Sequence, residues 1–144
     1  MIQRKQTLYL LLTTILSVLF LSNQIITATD TSFFTFTGYH QQGSNEVTGY
    51  IYFTALLIAV PLLSAITIFV YQNRKLQLRL TMILIILIIV LCGVAVYLVF
   101  SFTGGNIILR PKLILPALML VFSFKALGGI KKDEAIVRSY DRLR

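Results

Sequence analysis

Side chains able to do bond-breaking chemistry are few in this chain of 144 residues, and they do not converge. His40 is its one histidine and Cys92 its one cysteine. A metal site needs several convergent ligands, and His40 has no acid or cysteine cluster near it in the sequence. Cys92 stands alone, so neither an intrachain disulfide nor a set of thiolate ligands is available. Beside Gly93 and close to Ala95, it reads most simply as part of a small-residue patch for helix packing. Hydrolysis at a membrane would need a nucleophile with a base, or metal ligands, near one interface, and the chain supplies neither. The expectation is a protein that is not an enzyme, with no catalytic, metal-binding or cofactor-binding residues and no cofactor.

Charge is the other possible source of function. Thirteen Lys and Arg against five Asp and Glu leave a net charge of +8. In a soluble protein that balance would suggest nucleic acid, but 57% of the residues are hydrophobic and only 12% are charged. Placement then matters more than the total. No nucleic-acid partner is expected.

The elements that must position these charges are membrane spans. Leu80 to Phe100, LTMILIILIIVLCGVAVYLVF, is a run of 21 residues without a charge, fifteen of them Leu, Ile, Val or Phe. As a helix it is roughly 31 Å long, close to the hydrocarbon thickness of a bilayer. Its apolar side chains favour insertion by roughly −5 to −9 kcal/mol. A lone strand would leave its backbone groups unpaired in lipid, so the spacing of Ile and Val from Ile83 to Val90 does not indicate a strand here.

Three further runs fit the same pattern. Residues 7–28 follow Arg4 and Lys5 and read as a retained first span, since the bulky Ile26 fits a signal-cleavage site at Ala28 poorly. Residues 29–46 lack Lys and Arg and read as an outer loop, with Phe33, Phe34, Phe36, Tyr39, Tyr50 and Tyr52 supplying an aromatic belt. Residues 47–71 are the second span, kinked at Pro61, and 72–79 the tight turn into the third span, 80–101. Residues 111–130 make the fourth, with Lys112 and Lys125 snorkelling from its two ends. Gly128-Gly129 reads as the helix stop, and 131–144 as a short amphipathic helix in the cytoplasm.

Orientation follows from charge. Four spans place Arg4, Lys5, Arg74, Lys75, Arg79, Lys125, Lys131, Lys132, Arg138, Arg142 and Arg144 on one side and only Arg110 and Lys112 on the other. Eleven against two puts both termini in the cytoplasm. The predicted fold is an all-α integral membrane protein, a single domain of four transmembrane helices in an up-down bundle.

Within that frame, Ala55 with Ala59 and Cys92, Gly93 and Ala95 are candidates for close helix packing. No Asp, Glu or His lies within a span, whereas proton relays and ion-coupled carriers place such groups at depth. The hydroxyls of Thr13, Thr14, Ser17, Ser64, Thr67 and Thr81 could line a path, or bond back to their own helices. Arg4, Lys5, Arg74, Lys75, Arg79, Lys131, Lys132, Arg138 and Arg142 form a candidate cytoplasmic docking face for anionic lipid headgroups and for a membrane-protein partner or a second copy.

Three stretches, MIQRKQTLYLLL, IFVYQNRKLQLRL and KALGGIKKDEAIVRSYDRLR, together resemble an uncharacterised family of short four-helix inner-membrane proteins typical of Bacteroidota. The resemblance implies a multi-pass protein of a bacterial inner membrane and carries over no site residue. It also draws attention to the cytoplasmic side, where all three stretches fall. The function expected is an accessory or scaffold subunit of a larger membrane complex. The alternative is a small oligomeric transporter or channel with a polar path past Pro61, and the two part on whether the protein moves a solute.

Overall fold

A computed structural model describes residues 3–22, 26–29, 32–35, 38–41, 47–48, 51–102 and 114–141. Four helices, α1 (Gln3–Leu21), α2 (Ile51–Phe69), α3 (Arg74–Phe102) and α4 (Ile114–Asp141), form a bundle. Each packs against two neighbours, α1 on α2 and α4, and α3 on α2 and α4, so the four close a ring. Gln6 near the start of α1 bonds Asp133 near the end of α4, Arg74 at the start of α3 also reaches Asp133, and Gln77 bonds Thr67 near the end of α2. Starts and ends therefore alternate at one end of the bundle, and neighbouring helices run antiparallel.

The α1–α2 connection is not a plain loop. It carries β1 (Ile26–Thr29), β2 (Ser32–Thr35), β3 (Gly38–Gln41) and β4 (Val47–Thr48), an antiparallel meander in chain order. Phe33 pairs with His40, Phe34 with Tyr39 and also with Ile26, and Tyr39 with Thr48. The register shifts between Thr27 and Thr29. Threonine and aromatic residues favour a pleated surface, and hairpin pairing satisfies backbone groups that a loop would leave to water. The expected first span of 7–28 is accordingly shorter as a helix, ending at Leu21, and the second helix starts at Ile51 because Val47 and Thr48 belong to the sheet.

Two more expectations are corrected. Residues 72–79 are not all turn, because α3 begins at Arg74. Asn73 is its N-cap: the Asn73 carbonyl accepts the Gln77 N–H at 2.9 Å and its side-chain oxygen accepts the Leu76 N–H at 3.3 Å. Nor do Gly128 and Gly129 stop α4, which runs unbroken to Asp141, so the tail is no separate helix. Pro61 lies inside α2, and Ser64 donates to the Pro61 carbonyl at 2.9 Å.

The bundle is apolar on its outer surface as well as along its axis. Leu10, Phe20, Phe53, Leu57, Val60, Leu84, Ile88, Leu91, Ala95, Met119 and Ala126 fill the axis. Buried among the helices are the hydroxyls of Thr13, Ser17, Ser64, Thr67, Thr81 and Ser123, while Leu62, Ile66, Ile86, Ile89 and Val121 face outward. An aqueous protein would have those preferences reversed. Among the described residues three helices are long and apolar enough to cross a membrane, within Ile51–Phe69, Arg74–Tyr97 and Ile114–Val137, and α1 carries a shorter apolar stretch, Gln6–Leu21.

Candidate docking face and the polar closure beneath it

At the end of the bundle where α1 and α3 begin, polar side chains close the ring. The Gln6 amide donates to the Asp133 carboxylate at 2.6 Å, joining residues 127 apart in the chain, and both are buried. Arg74 donates to the main-chain oxygen of Asp133 at 3.3 Å, tying the start of α3 to α4. The buried Gln77 amide donates to the Thr67 carbonyl at 3.3 Å. That carbonyl lies in the last turn of α2, where helix carbonyls lack intrahelical donors, so Gln77 from α3 caps its neighbour. Thr81 in turn donates to the Gln77 carbonyl at 2.8 Å.

Gly129 makes the closure fit. A Cβ built there would lie 2.7 Å from the Gln6 Cγ, so α1 and α4 approach closely only because position 129 has no side chain. Gly128 is different, since a Cβ there would meet nothing within 4 Å. Gln6, Thr7, Tyr71, Arg74, Gln77, Ile130 and Asp133 surround a pocket of ≈ 10 Å³. That is room for about one water, and not for a solute. Elsewhere between α1 and α4, the rings of Tyr9 and Phe122 stack with centroids 6.3 Å apart, and the Lys125 Nζ lies 6.0 Å from the Tyr9 centroid.

Of the expected docking residues, Lys75, Arg79, Lys131 and Lys132 are exposed at this end. Arg74 is half-buried and is part of the closure. Arg4, Lys5 and Arg138 lie on helices at the same end, their side chains outside the described residues, and Arg142 is itself outside them. The three stretches that suggested the family meet here, through Gln6, through Arg74 and Gln77, and through Gly129 and Asp133. The composition pointed to the cations. It did not point to Gln6, Gln77 or Asp133, whose burial depends on contacts across the whole chain.

The packing candidates are placed unevenly. Ala95 is buried and Cys92 half-buried, but Gly93 is exposed with open space beside it. Ala55 is exposed and Ala59 half-buried, so α2 approaches its neighbours through Phe53, Leu57, Val60, Pro61, Ser64 and Thr67 instead. Of the hydroxyls named as a polar path, Thr13, Thr14, Ser17, Ser64, Thr67 and Thr81 all lie within bonding distance of a carbonyl of their own helix. One contact crosses: Thr14 Oγ1 and Ser64 Oγ are 2.9 Å apart, joining α1 to α2. Two hydroxyls carry two protons, so when one donates across, the other must return to its own helix. Ser123 Oγ is buried with no hydrogen-bond partner among the described residues. His40 is in β3, its side chain outside the described residues. Among the described residues no three His, Cys, Asp or Glu side chains come together as a metal site.

A family model described as "Domain of unknown function (DUF4293)" matches residues 2–143. No curated protein and no solved structure matches the chain.

Proposed function

The chain belongs to the DUF4293 family of unknown function, and from that premise we propose that it is a non-enzymatic scaffold or accessory subunit of a bacterial inner-membrane complex. All four helices cross the membrane, with both termini in the cytoplasm. The basic end of the bundle is the surface on which a partner protein docks, surrounded by anionic lipid headgroups.

The observation that carries this reading is the pairing of a buried polar closure with exposed cations at the same end. Gln6, Arg74, Gln77 and Asp133 fix the relative positions of all four helices there, and Lys75, Arg79, Lys131 and Lys132 project from the surface so fixed. Outward apolar side chains and inward hydroxyls support the membrane setting. In α1 the apolar stretch covers only about 24 Å; its packing against α2 and α4 supports counting it with them, the mismatch being met by local thinning of the bilayer. The excess of cations at the closed end supports the orientation.

Transport is the weaker reading. The axis is packed with large apolar side chains, and the polar path past Pro61 reduces to one hydroxyl pair among the described residues. Co-purification from native membranes in mild detergent tests the proposal. Reversing the charge of Lys75, Arg79, Lys131 and Lys132 together should abolish a specific association while leaving the protein in the membrane. Arg74 is kept in that variant, because its loss would open the closure itself. Recovery of the protein alone before and after charge reversal, with solute flux in proteoliposomes, would displace the docking reading by the transporter.

A further inference from the structure

Helix α4 passes straight through two adjacent glycines, and they are not equivalent. Gly129 has a packing reason, the approach of Gln6. Gly128 has none among the described residues, and a glycine in a helix interior is less favourable than alanine because it loses more backbone freedom on folding. What Gly128 contributes is a turn that bends more readily, five residues before Asp133. Beyond it, the contacts that hold the helix include Ile130, which is buried, and the two bonds at Asp133, and Ile136 also has a partner. Lys131, Lys132 and Val137 on the same segment are exposed.

We infer that residues 130–141 form an arm, hinged at Gly128 and latched at Asp133, that assembles and dismantles the basic face. Latched, the arm holds Lys131 and Lys132 at the end that carries Lys75 and Arg79. Released, it takes its cations away from them and exposes the Asp133 carboxylate and the Gln6 amide to water. Release also uncovers the buried Ile130, so the latched position is the favoured one in the native chain, while the groups exposed at the latch are polar and leave no unsatisfied buried donor in the open position. This deepens the docking proposal by giving that surface a means of regulation.

The test is a distance measurement on the full chain in lipid nanodiscs. Spin labels are placed through Lys75→Cys and Val137→Cys in a Cys92→Ala background. The otherwise native chain should give one narrow distance distribution. Adding Asp133→Ala should produce a second population at longer distance, and adding Gly128→Ala to that variant should remove most of it by stiffening the hinge. Gln6→Ala takes away the donor from the other side of the bond and should give the same second population if Asp133→Ala fails to fold. A distribution unchanged by both Asp133→Ala and Gln6→Ala overturns the latch. A second population that Gly128→Ala leaves intact overturns the hinge. These distances need no partner, so their failure is distinguishable from a failure of co-purification.

Discussion

The two ends of the bundle are held by opposite kinds of pairing. At the end carrying the sheet, the chain pairs with its immediate neighbours in sequence, β1 with β2, β2 with β3 and β3 with β4. At the other end it pairs across distance, Gln6 with Asp133 and Arg74 with Asp133, through side chains. Local backbone ladders tolerate many side chains, whereas a buried side-chain network tolerates few. The difference teaches where substitutions should matter.

The largest effect is expected where packing and hydrogen bonding fail together. Gly129→Val places a branched side chain where Gln6 lies and should destabilise the bundle by about 3 kcal/mol, combining overpacking with loss of the bond to Asp133. Unfolding in mixed detergent and dodecyl sulfate measures it. Asp133→Ala should cost about 2 kcal/mol in the same assay, since a bond to a carboxylate is removed and the Gln6 amide loses its acceptor. Gly128→Ala should act in the opposite direction, stabilising by about 0.5–1 kcal/mol, because the added methyl meets only open space. An equal response at positions 128 and 129 would refute the close-approach account.

Smaller effects sharpen the contrast. A double-mutant cycle with Thr14→Val and Ser64→Ala should return a coupling of about 0.6 kcal/mol, the size usual for hydrogen bonds between membrane helices. Phe34→Pro removes an N–H from β2, which is paired on both sides. It should speed hydrogen exchange in residues 26–48 and leave the bundle's unfolding transition where it was. A fall in bundle stability comparable to that of Asp133→Ala would erase the distinction between the two ends.

Much of this architecture is legible in the sequence, and the parts that are not have identifiable physical causes. The helix over Leu80–Phe100 declares itself because an uncharged run of that length has few other ways to satisfy its backbone in lipid. The start of α3 is obscured by its charges, which suggest a turn, although Asn73 before RKLQLRL is a usable capping signal. The sheet is hidden because its Phe and Tyr residues also suit an aromatic belt, while the short Thr-rich runs separated by two-residue connections are the overlooked strand signal. Gly128-Gly129 suggests a stop on propensity alone, and neighbouring helices override propensity. The polar closure is the least legible, since nothing local marks Gln6 and Asp133 as partners across the length of the chain.

The proposed orientation puts the closed, basic end in the cytoplasm and the sheet outside. Labelling of single cysteines in intact cells with a membrane-impermeant maleimide, in a Cys92→Ala background, tests that directly. His40→Cys in β3 should label in intact cells, and Lys75→Cys and Lys132→Cys only after permeabilisation. Labelling of Lys132→Cys from outside, alone or together with His40→Cys, would contradict the four-span orientation and the docking face built on it.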